Sequence, residues 1–290
     1  MTWRWPGFSD SCGIGLSGST RAHRLGGVQT SRSKGPLHAE GCLFCHRSDG
    51  GFVSREHIFS EALGNVNEKV LPPGVVCDRC NNDPLAQADE ELVNLPVISM
   101  LRAERGIPTK GGKAVMSKWG NARIVYPARG TLQVIGPSKD VVRGMDEFDS
   151  AKGIPGTLKL ETGWRLTETR IGRIARSIWK STLEFIYLDH GFEIAYDSRF
   201  DEARRAIIDD GEAYGWVLVP VDGKPGPSVE LTYNFTEVDG RQAVPIRMDI
   251  FGVVFATDLL LRDFDIASVE QPIPVNVWTF SAAVSPRHKL

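Results

Sequence analysis

The sequence CLFC at residues 42–45 and the sequence CDRC at residues 77–80 enclose the most informative part of this chain. Between them run SREHIFSEALG at residues 54–64 and VLPPGVV at residues 70–76. Four thiolates are the ligand set of a tetrahedral structural zinc site, and the two-residue spacing lets both sulfurs of a pair reach one ion from a single turn. We therefore predict one structural Zn²⁺ bound by Cys42, Cys45, Cys77 and Cys80.

The segment between the two cysteine pairs is long. It has 31 residues, more than a minimal zinc ribbon needs, so a folded element should fill it while the ion joins its two ends. A redox role is one alternative for C-x-x-C pairs, but neither pair stands in a βαβ pattern. Unrelated core cysteines are a second alternative. Of the five cysteines, Cys12 is left without a pair.

The overall composition is that of a folded, near-neutral protein. The 290 residues are 41% hydrophobic and 24% charged with a formal net charge of -2, which excludes collagen-like, mucin-like and wholly disordered classes. The apolar run from Ile250 to Ala256 is too short to span a membrane. The charge balance argues against a coating, histone-like DNA binder but allows a local DNA patch. No signal peptide precedes the cysteines, so we expect a cytoplasmic protein with reduced thiols.

Three segments differ in pattern. Residues 1–37 are rich in Ser, Gly, Thr and Arg, which predicts a disordered segment or linker. Residues 38–107 hold the cysteine pairs and then a helical pattern, which Asp83-Pro84 could open and Pro96 should kink or split. Residues 108–290 form the third segment, whose role the sequence does not identify.

The third segment predicts an α+β fold with an antiparallel sheet. A long helix should run from Thr167 to Leu188 and stop at Gly191, followed by a short helix at 200–209. Asp239-Gly240 is a strong hairpin signal. We expect strands at residues 216–221, 229–238, 243–255 and 275–280.

The zinc segment resembles a known family. The paired C-x-x-C motifs, the Glu56-His57-Ile58 sequence, the Leu-Gly that follows it and the Asn directly after the second pair are similar to the HNH endonucleases, in the branch with zinc-bound knuckles. The resemblance covers about residues 42–92. It implies a small ββα-metal domain, a β-hairpin and a helix that together hold one divalent ion.

The resemblance also implies roles for single residues. Glu56 matches the acidic ligand of the catalytic ion, His57 the general base, and Asn81 the ligand offered from the start of the helix. Asn82 and Asp83 are substitutes for Asn81, since Asx residues near a helix start are often caps.

Two positions depart from the family pattern. The middle asparagine, which braces the hairpin in the family, has no assigned counterpart, because Asn65 and Asn67 lie earlier than expected. Ser60 stands where a proline is common. Adjacent strand residues point to opposite faces, so the strand must end or bulge for Glu56 and His57 to address one phosphate.

Phosphodiester hydrolysis suits these residue types. An imidazole has an ordinary pKa of about 6.5, so it is an available base at neutral pH and typically contributes roughly 10²- to 10⁴-fold. Oxygen ligands suit Mg²⁺ or Mn²⁺ as catalytic ion, whereas thiolates suit zinc.

Basic residues suggest where a nucleic acid could bind. Arg173, Arg176 and Lys180 form a stripe on the long helix that we expect to face away from the core, and Arg55 stands beside the site. A solvated face is the alternative for the stripe. The leading hypothesis is a metal-dependent endonuclease acting on DNA, or on RNA, and the alternative is a non-catalytic zinc-knuckle module that binds nucleic acid or protein. The oligomeric state is not indicated.

Overall fold

The structure is a computed structural model. It describes residues 21–24, 41–65, 69–109, 116–119, 122–128, 131–135, 156–158, 167–209, 217–219, 228–238, 240–260 and 280–282. These parts combine helices with antiparallel sheets, so the predicted α+β class is confirmed.

Six α-helices are found in those ranges. They are α1 (Asp78–Cys80), α2 (Ala86–Val93), α3 (Pro96–Glu104), α4 (Glu168–His190), α5 (Phe192–Ala195) and α6 (Asp201–Ile208). A π-helical turn, Asn81–Leu85, joins α1 to α2, and 3-10 turns lie at Glu61–Leu63 and Ser198–Phe200.

The strands form antiparallel sheets. They are β1 (Arg21–Arg24), β2 (Met116–Trp119), β3 (Ala122–Ala128), β4 (Thr131–Ile135), β5 (Gly156–Leu158), β6 (Val217–Val219), β7 (Val229–Tyr233), β8 (Thr236–Val238), β9 (Arg241–Ala243), β10 (Pro245–Ile250), β11 (Val253–Asp258) and β12 (Phe280–Ala282). The largest sheet has the order β1-β7-β10-β11-β6, and β2-β3-β4, β5-β12 and β8-β9 form smaller ones.

Helix α4 follows its sequence signals. Thr167 caps its start by accepting a hydrogen bond from the Arg170 backbone N–H at 3.3 Å. Gly191 ends it with a φ of 81°, a left-handed value that favours glycine. The predicted helix is confirmed and extends two residues further, to His190.

The helix after the second cysteine pair begins earlier than predicted. Asp78, not the Asp83-Pro84 pair, occupies its first turn, and Pro84 lies inside the π-helical turn. A proline lacks the N–H of a regular helix and its ring needs room, which the wider π turn provides. The expectation that Pro96 splits the helical pattern is confirmed, since α2 ends at Val93 and Pro96 opens α3.

The sheet also refines the predicted strands. The hairpin at Asp239-Gly240 is confirmed by the pairing of β8 with β9. The segment predicted as one strand at 243–255 is a hairpin of β10 and β11, turned at Phe251 and Gly252, whose φ angles are 57° and 94°. Strand β1 pairs with β7 although it lies within residues 1–37, so the expectation of disorder is wrong for these four residues. Of the strand expected at 275–280, only Phe280 lies within the described residues.

Helix α4 lies between the cysteine-rich segment and the five-stranded sheet. On one side Phe185 packs on Phe59, with ring centroids 5.1 Å apart. On the other side Trp179 Nε1 donates to Thr257 Oγ1 at 3.2 Å. One hydrophobic core runs from Cys42 in the first segment to Leu259 in the sheet. Both sides of the predicted boundary at residues 107/108 therefore contribute to a single core, and the boundary itself stays a prediction.

Across the parts of the chain that the structure describes, no helix has both the length and the apolar character needed to cross a membrane.

The shared core predicts that the two segments unfold together. Phe185 is fully buried, so Phe185→Ala should cost about 3–5 kcal/mol of unfolding free energy. Urea unfolding should show one transition by tryptophan fluorescence and by far-UV circular dichroism. Leu188→Ala, at a position 37% exposed on the same helix, is the control and should change stability by less than about 0.5 kcal/mol. Two separate transitions would contradict the shared core.

Candidate functional site

The four cysteines of the two C-x-x-C pairs come together. The Sγ atoms of Cys42, Cys45, Cys77 and Cys80 all lie within 4.8 Å of one another, and those of Cys45 and Cys77 are 3.7 Å apart. Tetrahedral zinc with Zn–S bonds of about 2.3 Å places its sulfurs about 3.8 Å apart. The cluster could therefore hold a metal ion, and its geometry is compatible with structural zinc.

The electrostatics of the cluster fit a bound cation. A hydrogen bond from Cys80 lowers the pKa of the Cys42 thiol to about 5, and the same bond with burial raises the pKa of Cys80. Burial raises the pKa of Cys45 to about 11. The pKa values shift in opposite directions because adjacent buried thiolates repel one another, so one thiol ionises and its neighbours keep their protons. A dication would remove the repulsion and allow all four to ionise.

The first knuckle depends on a glycine. Gly41 has a φ of 79°, and a Cβ there would stand 2.6 Å from the carbonyl of Arg47. Across the turn, the backbone N–H of Cys42 donates to that carbonyl at 2.9 Å. Glycine thus lets the chain fold back closely enough to bring Cys42 and Cys45 to one point.

A cavity of about 320 Å³ adjoins the cysteine cluster. Cys45 and Cys80 form part of its wall, together with three arginines, Arg47, Arg79 and Arg176. Asp83 and Asp209 also line it, so its wall carries charges of both signs. The cavity belongs to the surroundings of the metal site.

The segment between the cysteine pairs folds into a short hairpin with a first arm, residues 56–58, and a second arm, residues 69–71. His57 and Val70 form an isolated antiparallel bridge. The backbone N–H of Ile58 donates to the Lys69 carbonyl and that of Leu71 to the Glu56 carbonyl, both at 2.9 Å. Two short arms are followed by the helix from Asp78, although the arms share a single isolated bridge and are not full strands.

Asn65 braces this hairpin. Its side chain is fully buried, and Nδ2 donates to the carbonyls of Phe59 at 2.8 Å and Lys69 at 2.9 Å. Oδ1 accepts from the Lys69 backbone N–H at 2.8 Å. This is the role for which the sequence offered no residue, and the assumption that Asn65 lies too early is wrong. A signal was present, since a short polar side chain in a turn often binds nearby backbone groups.

His57 lies on the first arm, close to a carboxylate. Its Nε2 is 3.1 Å from Oε1 of Glu61, and its side chain is 13% exposed. Ser60 accepts from the Ala62 backbone N–H at 3.3 Å and caps the 3-10 turn that carries Glu61. At that distance the Glu61 carboxylate forms an ion pair with the imidazole when the ring is protonated. Ser60 has a φ of -50°, close to the value that a proline would impose.

Asn81 lies at the junction of α1 and the π-helical turn. Its Nδ2 is buried, and it has no hydrogen-bond partner within the described part of the chain. A 180° rotation of the amide would bring Oδ1 to the same position, where an oxygen could coordinate a hard cation. Of its proposed substitutes, Asn82 donates to Ser54 Oγ at 3.2 Å and Asp83 accepts from Gln87 at 2.7 Å, and both are exposed.

Glu56 is held inside the protein. It is 5% exposed, and its Oε1 is 2.6 Å from Nζ of Lys180 on α4. The same ammonium lies 2.8 Å from Oδ2 of Asp89 and donates to the His57 carbonyl at 3.0 Å. Burial alone would lower the pKa of Lys180, but Asp89, Glu184 and Glu56 raise it well above the ordinary value. Glu56 and His57 therefore face different surroundings.

Glu184 completes the buried cluster. Burial raises its pKa well above the ordinary value, which favours the neutral acid. Neither of its carboxyl oxygens has a hydrogen-bond partner within the described residues. Lys180 therefore faces the two carboxylates of Glu56 and Asp89, with Glu184 close by.

The basic stripe on α4 does not face solvent as expected. Lys180 is 1% exposed and Arg176 is 6% exposed, and Arg176 donates to the Gly172 carbonyl at 3.4 Å and the Asp209 carbonyl at 3.3 Å. Arg173 is 31% exposed and lies 3.8 Å from Glu91 of α2. The expectation of an outward stripe is wrong for Arg176 and Lys180, because acidic and carbonyl groups inside the protein occupy that side of α4. Arg55 is exposed.

No family model, curated protein or solved structure matches the chain.

The cysteine cluster predicts that metal loss disrupts the hairpin. Cys80→Ser should lose the bound zinc and unfold the cysteine-rich segment, because apparent binding energies of structural zinc reach roughly 10–16 kcal/mol in small peptides. Zinc content by mass spectrometry and amide hydrogen exchange of residues 41–65 would measure the effect. Cys12→Ser is the control and should retain its zinc. A Cys80→Ser protein with full zinc content and unchanged exchange would contradict the site.

The brace predicts a second effect on stability. Asn65→Ala removes three hydrogen bonds and should cost about 1–3 kcal/mol of unfolding free energy, because buried backbone groups lose their partner. The Lys69 amide proton should also exchange faster. Asn94→Ala, at an exposed position, is the matched control and should be near neutral. Equal stabilities of the two variants would show that Asn65 is no brace.

Proposed function

We propose that the protein is an HNH-type endonuclease that hydrolyses phosphodiester bonds of DNA in the cytoplasm, with His57 as the general base. The observation that carries the proposal is the braced hairpin. Asn65 ties its loop, the His57-Val70 bridge joins its arms, and the Glu61 carboxylate lies 3.1 Å from the imidazole. The cysteine cluster, compatible with structural zinc, supports the hairpin and the start of the helix from both ends.

The proposed chemistry assigns His57 a proton transfer. The imidazole of His57 accepts the proton of a water molecule that attacks the phosphorus atom, the phosphorus–oxygen bond to the leaving sugar breaks, and the departing oxygen takes a proton from solvent water. Glu61 stabilises the imidazolium that forms, in the manner of an orienting carboxylate. The exposed Arg55, two residues before the base, is the proposed phosphate contact, and the partly exposed Arg173 is a more distant one.

The proposed catalytic ion is Mg²⁺ or Mn²⁺. Its chemistry would be to stabilise charge on the phosphate oxygens. Of the two ligands that the resemblance implies, Asn81 fits, since its buried amide nitrogen has no hydrogen-bond partner among the described residues and could exchange places with the amide oxygen. Glu56 does not fit as placed, because Lys180 engages its carboxylate.

A second candidate function follows from the ion pair between Glu56 and Lys180. If Glu56 binds no catalytic ion, the segment around the cysteine cluster serves as a non-catalytic module that binds nucleic acid or protein. The engaged carboxylate is the observation that favours it.

Nicking of supercoiled plasmid separates the two functions. With Mg²⁺ or Mn²⁺ the wild-type protein should nick DNA, and His57→Ala should lower the rate roughly 10²- to 10⁴-fold. Arg55→Ala should raise KM more than it lowers kcat. His46→Asn is the matched control with unchanged activity, because His46 is exposed with a φ of 56°, a value asparagine tolerates.

The outcomes distinguish the hypotheses. Binding of DNA without nicking by wild type or variant would overturn the nuclease and support the binding module. Cleavage of a single-stranded RNA in preference to the plasmid would keep the chemistry and change the substrate class. Equal nicking by wild type and His57→Ala would remove His57 as the base.

A further inference from the structure

We propose that Glu56 and Lys180 are positioning residues that hold the backbone of His57 against helix α4. We also propose that Glu56 does not bind the catalytic ion. This inference rests on the proposed function, because it assigns roles around the same imidazole. It replaces the ligand role that the family resemblance implies for Glu56.

One ammonium group holds two consecutive residues of the first arm. Lys180 Nζ lies 2.6 Å from the Glu56 carboxylate and 3.0 Å from the His57 carbonyl oxygen. The side chain of one residue and the main chain of the next are thus tied to the same atom. The His57 carbonyl cannot shift without breaking this contact, so the backbone that carries the imidazole is held in place.

Ser181, the next residue of α4, adds a further contact to the first arm. Ser181 Oγ donates to the Ile58 carbonyl at 2.6 Å. On the far side of the ammonium, Asp89 Oδ2 lies 2.8 Å from Nζ, and Asp89 Oδ1 accepts from Ser177 Oγ at 2.6 Å. The first arm is therefore attached to α4, and α4 is attached to α2, through partners that are each satisfied.

The same contacts leave Glu56 unsuited to bind a cation. Its side chain is 6% exposed and already has an ammonium 2.6 Å away. A divalent ion at that carboxylate would stand within a few ångströms of a positive charge in a poorly solvated place, where repulsion is strong. Displacing Lys180 instead would leave it inside the protein with one of its two carboxylate partners lost.

A double-mutant cycle tests the positioning role. Glu56→Gln and Lys180→Met should each lower kcat about 10²-fold with an unchanged KM for plasmid DNA, since a small displacement of a catalytic group has effects of that size. The double variant should be less impaired than the sum of the two single variants, because the contact between Glu56 and Lys180 can be lost only once. The matched pair is Arg170→Met and Glu91→Gln, whose 2.6 Å ion pair joins α4 to α2 away from the hairpin, and kcat should be unchanged there.

Two measurements separate this inference from the proposed function. Mn²⁺ binding, followed by water-proton relaxation, should be equal in wild type and Glu56→Gln. Amide exchange at Ile58 and Leu71 should be at least about tenfold faster in Lys180→Met than in Arg170→Met, because both amides bridge the two arms. These readouts stand even if the wild-type protein cleaves no DNA. If Lys180→Met proves too unstable to purify, Ser181→Ala replaces it with the same expected direction.

Three results would overturn the inference. Mn²⁺ binding weakened tenfold or more by Glu56→Gln would make Glu56 a ligand. Equal exchange in Lys180→Met and Arg170→Met would show that Lys180 does not hold the first arm. An additive cycle, with the double variant as impaired as the sum of the single ones, would show that the two residues act separately. A wild-type protein without nuclease activity but with the expected exchange pattern would overturn the proposed function alone.

Discussion

The buried ammonium of Lys180 is the contact on which the arrangement of the site depends. It joins the hairpin, α2 and α4 through Glu56, Asp89 and the His57 carbonyl. Burying a charge costs several kcal/mol unless it is well paired, and here two carboxylates and a carbonyl surround it. Such a group is weak evidence for added stability but strong evidence for a defined geometry, because alternative packings would leave the charge unpaired.

The hairpin itself is small and needs support from outside. Its arms share one isolated bridge and few backbone hydrogen bonds, whereas a two-stranded hairpin is marginal in water. The sulfur cluster fixes its ends, Asn65 fixes its loop, and Lys180 and Ser181 fix its first arm. Three separate constraints thus converge on His57.

The sequence predicted the elements whose signals are local. Thr167 and Gly191 mark the ends of α4, Pro96 marks a break, and the C-x-x-C spacing marks the sulfur cluster. Whether a polar face of a helix points to solvent or into the protein depends on residues far away in the sequence. The basic side of α4 therefore could not be recognised as buried without knowing that Asp89 and Glu56 lie opposite it. Likewise, the function of Asn65 depends on Lys69 lying across the turn, which no spacing rule supplied.

Strand β1 covers one edge of the five-stranded sheet. It covers the edge of β7 by pairing from Arg21 to Arg24, next to a sheet whose inner strands are largely buried. An uncovered edge offers free N–H and C=O groups to any other extended chain. Shortening the protein to residue 38 would open that edge, and the resulting molecules could join sheet to sheet. The four residues of β1 would thus protect the sheet from aggregation.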